Sequence, residues 1–308
     1  MGLDYHGVRL MAFIKTLNPR INSIGMLGRQ SLLADATEIG NVFQEFEIPY
    51  TISDLQQIVN NNNGYCELLL QHLGFKKIES FDFSAFENPT HIHDFNKTIP
   101  PDFERRYDLV VDGGSLEHIF NFPIALRNLM RMVAPNGIFA AITPCNNHCG
   151  HGFYQFSPEL YFSLMRSING YKLIDIFCHE ISDDKNWYRV VDPLVVNNRV
   201  HVITRKPTMM LVIARRVEQG ELPELQIQQS DYEKLWAGQS LDGCCIKNQQ
   251  RKLKSRLREL VVKSIPSYWR TQIRNLSEPE RFPQEFFTRA DSCKDSLLKT
   301  ANLIRQES

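Results

Sequence analysis

The chain has 308 residues, 43% of them hydrophobic, and its 35 lysines and arginines balance 35 aspartates and glutamates. That length and apolar share supply the core of one large domain with an appendage, and the balanced charge gives no global argument for a nucleic-acid or acidic partner. No apolar stretch reaches the roughly 20 residues of a membrane-spanning helix, no signal pattern opens the chain, and the seven cysteines are odd in number without a C-x-x-C pair, so a cytoplasmic protein with free thiols is expected.

Short β-branched runs alternate with helical patterns, which argues for a parallel sheet covered by helices. Residues 21–25 read as the first strand, followed by the glycine pair Gly25-Met-Leu-Gly28. The segment 44–74 lengthens the first crossover, with amphipathic stretches over 52–59 and 65–73 around an asparagine run. Strands follow at 76–82, 90–94 and 107–112, the first two too close together for a helix between them. Phe122, Ala125, Leu126, Leu129, Met130 and Val133 form a helical stripe over 122–133, closed by Pro135-Asn136-Gly137 before a strand at 137–144. Ser157-Pro158-Glu159 is an N-cap, a proline at the first helical position and an acid in the first turn, so a helix is predicted over 158–168. Strands at 171–177 and 209–216 flank an insertion at 181–208 that carries Trp187, Tyr188 and Pro193.

From about residue 219 the strand pattern gives way to polar and then helical sequence, which divides the chain into a sheet domain, 1–218, and a helical, basic extension, 219–308. Between Lys247 and Arg274 nine basic residues face the single acid Glu259, and Leu253, Leu257, Leu260 and Val261 share one face. The plain reading is a solvated charged helix. The alternative is peripheral docking onto anionic lipid at the inner membrane face, helped by Tyr268 and Trp269; no nucleic-acid recognition motif accompanies the charge.

Open parallel sheets bind ligands beyond the carboxyl ends of their strands. Three successive predicted strands end in aspartates, Asp82, Asp94 and Asp112, which would gather at one edge. One carboxylate can accept from both hydroxyls of a ribose, and another from an adenine amine or a ligand ammonium. Against this stands the tendency of aspartate to close strand-to-loop corners with its own turn hydrogen bonds.

The order Gly25-x-x-Gly28, Phe81-Asp82-Phe83-Ser84, His93-Asp94-Phe95-Asn96, Asp112-Gly-Gly-Ser-Leu-Glu117-His118 and Gly137-Ile-Phe resembles the class I S-adenosylmethionine-dependent methyltransferases over roughly residues 8–217. Gly150-His151-Gly-Phe-Tyr-Gln-Phe-Ser-Pro158 resembles a segment of a bacterial subgroup that also carries D-G-G-T-L-E-H. The resemblance implies a doubly wound, mostly parallel seven-stranded Rossmann-like sheet with its last strand antiparallel, and an α-helical C-terminal appendage. It implies that S-adenosyl-L-methionine is held by Gly25, Gly28, Asp82, Phe83, Asp94 and Phe95, with Asp112, Gly113 and Gly114 facing the sulfonium. Ser23 stands where many members have an acid, and the fuller glycine pattern is missing.

A hydroxyl acceptor needs a base with a pKa near neutrality, which makes His118 and His151 the catalytic candidates, with Glu117 orienting one of them or binding substrate. The structural alternative has Glu117 capping the next helix and His118 bonding backbone. No metal is expected. Methyltransferases whose Glu-His pair holds a divalent ion carry another acid three residues earlier, where Gly114 stands, and the Cys145, His148, Cys149, His151 cluster lacks the downstream partner pair of a zinc site. The expected activity is methyl transfer to an oxygen, or secondarily a nitrogen, of a small molecule or glycan, as in surface-polysaccharide or secondary-metabolite synthesis. Two other classes stay open: a methyltransferase-fold module without catalysis, and a nucleotide-dependent oxidoreductase, disfavoured by the absence of G-x-G-x-x-G.

Overall fold

A computed structural model describes residues 2–60, 64–181, 186–237 and 286–289. The basic segment 247–274 and most of the predicted helical extension lie outside the described residues. Strand β1 (Gly2–Leu3) leads into helix α1 (Tyr5–Leu17), which starts on an Asp4 cap whose carboxylate accepts from Gly7 N at 2.9 Å. Only Lys15 and Thr16 of α1 escape burial. A helix buried on nearly every side, even at His6 and Arg9, shows no clear amphipathic period, and none marks this one in the sequence.

The remaining elements are β2 (Ser23–Leu27), β3 (Ser31–Leu32), α2 (Ala36–Glu45), α3 (Ile52–Val59), α4 (Glu67–His72), β4 (Lys77–Asp82), β5 (His91–Ile92), β6 (Tyr107–Asp112), α5 (Phe122–Met132), β7 (Val133–Asn146), α6 (Pro158–Leu164), β8 (Tyr171–Glu180), β9 (Tyr188–Val190), α7 (Pro193–Val196), β10 (Thr208–Arg216), α8 (Ser230–Trp236) and β11 (Phe287–Arg289). β1 and β3 pair in a small parallel sheet of their own. The main sheet runs β11-β9-β8-β10-β7-β6-β2-β4-β5. β6, β2, β4 and β5 pair in parallel, β7 joins them in parallel, and β10 is inserted antiparallel between β7 and β8. Seven of these strands make the doubly wound Rossmann-like sheet of the methyltransferase type; β9 and β11 extend its edge by antiparallel pairing.

Alternation along the strands builds two cores. Leu109 and Val111 of β6 and Leu211 and Ile213 of β10 point to the layer of α1, α2 and α4, while Val110, Met210, Val212 and Ala214 point to the layer of α5 and α6. The helices are held by local chemistry as well as by burial. Asp35 and Thr51 form capping boxes with Glu38 and Asp54 at the starts of α2 and α3, and Ser157 caps α6 with Pro158 in its first turn.

Two predicted spans end differently. α6 stops at Leu164 instead of reaching 168, because Asn169 Nδ2 donates to the carbonyls of Ser163 and Leu164 and so takes over the helix end, and a short 3₁₀ turn follows at Ser167–Asn169. β7 begins at Val133, directly after α5, and runs through Pro135 and Gly137. Between β4 and β5 there is a short loop and no helix, as the spacing requires, and the two strands pair in parallel over two residues.

Past residue 218 the described chain stays against the sheet domain. Leu222 is buried in the second core, and Gln226, Gln228 and Ser230 hydrogen-bond to Asn169, Ser163 and Glu159. Phe286 and Phe287 are buried at the sheet edge. No helix among the described residues is long and apolar enough to cross a membrane.

Candidate functional site

The chain leaves β2 toward β4 on one side and reaches β6 on the other, so the strand order reverses between β2 and β6 and opens a crevice at their carboxyl ends. A cleft of about 240 Å³ lies there, lined by Leu27, Gly28, Phe81, Asp82, Phe83, His93, Asp94, Phe95, Asn96, Ser115, His118 and Ile119. Each neighbouring strand end contributes. Gly28, at φ 73°, turns the chain out of β2 while its N–H donates to Phe81 O at 2.8 Å, which brings bare backbone to the cleft wall. Ser115 Oγ donates to Leu27 O at 2.9 Å and closes the β2–β6 junction.

Of the predicted cofactor residues, Gly28, Asp82, Phe83, Asp94 and Phe95 share this cleft. Asp82 Oδ1 accepts from Ser84 N at 3.0 Å, and among the described residues no hydrogen bond is made to Oδ2. Asp94 Oδ1 accepts from the side chain and backbone N–H of Asn96; these bonds, with Lys97 nearby, hold the Asp94 carboxyl below the usual carboxylate range. Phe95 is buried edge-on to Phe81 at 6.0 Å, and Phe83 is exposed at the rim.

The others lie elsewhere. Gly25 sits inside β2, where a Cβ would meet the Tyr107 ring at 2.9 Å. Asp112 is fully buried, its Oδ1 accepting from Ser115 N and Leu116 N while Oδ2 has no partner among the described residues, and it does not line the cleft, so two of the three aspartates converge there. Gly113 faces Gln30, whose amide oxygen a Cβ would meet at 2.2 Å, and Gly114 adopts φ 90°. Ser23 lies at the opposite end of β2, bound to Asp108 Oδ2, so its identity has no bearing on the crevice. Gln30, which nothing in the sequence singles out, is fully buried: its amide nitrogen donates to Leu27 O and its amide oxygen has no partner among the described residues.

Beyond His118 a second group assembles. Residues Leu116–His118 form a 3₁₀ turn after β6, with Glu117 buried and His118 exposed. The loop after β7 folds over that turn. Phe153 N donates to Glu117 O at 2.7 Å, and Gly152 packs so near that a Cβ would lie 2.8 Å from the same carbonyl. Gly150 at φ 90° makes the bend, so the two glycines around His151 are explained by its delivery to Glu117, with Nε2 3.7 Å from Oε1. The rings of His118 and His151 stand 5.0 Å apart. Burial, and then the charge His151 would carry, lower the His118 pKa and keep it neutral. Burial, and then the neighbouring Asp112 carboxylate, raise that of Glu117.

The cysteines nearby are occupied differently. Cys145 Sγ lies 4.0 Å from Cys178 Sγ, and Cys149 accepts from Gln155 Nε2. Tyr154 OH donates to Phe120 O, Gln155 Oε1 accepts from His148 N, and Phe156 is buried.

No family model matches the chain, and no curated protein sequence does. Solved structures of similar shape include the 1,6-didemethyltoxoflavin N1-methyltransferase of Burkholderia thailandensis with bound S-adenosylhomocysteine, at 11% identity and a TM-score of 0.37 over 68% of this chain and 78% of that one. The N-methyltransferase NodS of Bradyrhizobium japonicum gives 11% and 0.35 over 70% and 97%, and the [4+2]-cyclase SpnF gives 10% and 0.38 over 68% and 80%. These values describe a distant likeness, and the fold assignment stands on the strand order described above.

Proposed function

We propose that the protein is a methyltransferase that binds S-adenosyl-L-methionine in the β2–β4–β5–β6 cleft and methylates an oxygen, or secondarily a nitrogen, of a small molecule or glycan. The observation that carries this reading is the convergence of Asp82 and Asp94, from successive strand ends, on one aromatic-walled cleft. Asp82 has the free carboxylate oxygen to accept from ribose hydroxyls. Asp94, held ionised by Asn96, accepts from the adenine amine, and Phe81, Phe83 and Phe95 supply the apolar surface a base needs. The cleft is smaller than the roughly 300–1,000 Å³ of ordinary ligand pockets, a size suited to the nucleoside. The amino-acid tail then falls toward Gly28 and Gln30, whose unpartnered amide oxygen is an acceptor for an ammonium.

When bound, the cofactor supplies an already activated methyl group. The protein's part is alignment and exclusion of water. His118 belongs both to the cleft and to the Glu117–His151 group, which puts the acceptor on its far side, under the loop 147–156. Its neutral imidazole is able to take the proton of a hydroxyl acceptor. Phe120 and Phe153, edge-to-face at 6.3 Å and both exposed, form an apolar rim beside it.

An oxidoreductase reading finds no support in the first loop, where β3 intervenes and the next helix starts only at Ala36. A non-catalytic module is favoured by one feature, the Gln30 side chain packed against Gly113. Calorimetry with S-adenosylhomocysteine separates that module from the enzyme. The full chain should bind in the micromolar range, and Asp82→Ala should weaken binding by about 10- to 100-fold, the loss of about one charge-assisted hydrogen bond of about 1.5–3 kcal/mol. Absence of binding at millimolar ligand by both proteins would leave only the module.

A further inference from the structure

We propose that Glu117, His118 and His151 bind one divalent transition-metal ion. Among the described residues these side chains form a group of potential ligands whose donor atoms all lie within 4.8 Å of one another. The sequence argument against a metal was the missing acid at Gly114. The fold removes the need for it, because the loop after β7 returns His151 to Glu117 as a third ligand.

An independent observation points to a cation. Glu117 is fully buried, and among the described residues neither carboxylate oxygen has a hydrogen-bond partner. A buried carboxylate is ordinarily satisfied by donors or by a positive charge, and among the described residues no other side chain donates to Glu117. Its nearest counterpart, His151 Nε2, stands 3.7 Å from Oε1, beyond hydrogen-bond range. That spacing is close to the roughly 3.4 Å edge of a tetrahedron whose corners lie about 2.1 Å from a central ion. The 4.8 Å outer spread requires the donors to draw in by about an ångström for such bond lengths, a movement open to His118 and His151 because both are exposed.

The donor set narrows the ion. Two imidazoles and one carboxylate suit manganese, iron, cobalt or zinc, whereas magnesium and calcium prefer oxygen throughout. Three protein ligands leave at least one position open, as catalytic sites do. On the methyl-transfer reading, which this part of the inference rests on, the open position takes the acceptor. The acceptor is then an oxygen nucleophile, such as a hydroxyl with a second oxygen donor beside it. Coordination would lower the hydroxyl pKa, so that with the metal bound His118 serves as a ligand and is not required as the base.

Cobalt(II) tests the site without reference to activity. The full chain, stripped with chelator and titrated with CoCl₂, should take up one ion per molecule and develop visible d–d absorption. Glu117→Gln and His151→Ala should each weaken uptake by more than the 10- to 100-fold typical of changes outside the ligand set, while their metal-free melting temperatures and S-adenosylhomocysteine affinities match those of the parent. A parent chain without stoichiometric uptake, or variants that bind cobalt as the parent does, would overturn the proposal. Cobalt binding without S-adenosylhomocysteine binding would retain the metal site and refute the methyl-transfer reading instead.

Discussion

At the scale of single residues, the two glycines of the first loop have different causes. Gly28 needs its positive φ and lines the cleft, whereas Gly25 is bare because the Tyr107 ring crosses β2 at that point to reach Glu79 on β4. In the sequence they form one motif, since nothing in G-M-L-G reveals a ring arriving from a strand more than eighty residues later. Gly25→Ala should therefore act as overpacking, costing about 1–3 kcal/mol of stability, with S-adenosylhomocysteine affinity unchanged. Denaturant titration and calorimetry on the same protein check both halves. Unchanged stability with lost affinity would return Gly25 to the cofactor site. Asp82 and Asp94 were legible because each closes a predicted strand. Asp112 has the same signature and turns inward, since its Oδ1 is taken by the N–H groups of the turn that follows. Strand-end position alone could not tell these outcomes apart.

Among the elements, strands were easier to read than helices. β6 and β10 are continuous apolar runs, the mark of strands buried on both faces. α1 is as buried as they are and so shows no exposed polar face, while the short β5 covers only the middle of the predicted run 90–94. What holds β5 and the outer sheet is Glu79. Tyr107 OH donates to its carboxylate, His91 Nε2 lies 3.1 Å away, and Lys77 and Arg106 stand at 3.6 and 3.3 Å. Burial alone would raise the Glu79 pKa; the Tyr107 and His91 hydrogen bonds and the two cations outweigh it, and the net shift is downward. A carboxyl lowered on folding stabilises the native state above its unfolded pKa of about 4.3, and that contribution is lost as pH falls through the folded value. Thermal melts between neutral pH and pH 3 should show the parent losing stability below about pH 4.3 more steeply than Glu79→Gln. Parallel acid limbs for the two proteins would show that the pair network contributes nothing on folding.

For the whole molecule, the open question is where the sheet domain ends. Composition changes near residue 219, and a boundary drawn there follows from the loss of strand periodicity. Periodicity, however, reports pairing within the sheet, and a segment can belong to a domain by packing on it without regular structure of its own. Residues 222–233 do this. Leu222 is buried, Asn169 exchanges hydrogen bonds with Gln226 at 2.7 and 3.1 Å, Ser163 donates to Gln228 O, Glu159 accepts from Ser230, and Arg166 pairs with Glu233 at 2.8 Å. Several of these groups also form the end of α6 and the turn after it, so removing the segment leaves them unpaired in the core. At about 1 kcal/mol per hydrogen bond and about 2 kcal/mol for the leucine, the segment contributes several kcal/mol. A chain ending at Glu218 should melt well below one ending at Ala237. Both lack β11, so the difference isolates these contacts, and equal melting temperatures would place the structural boundary at 218 after all.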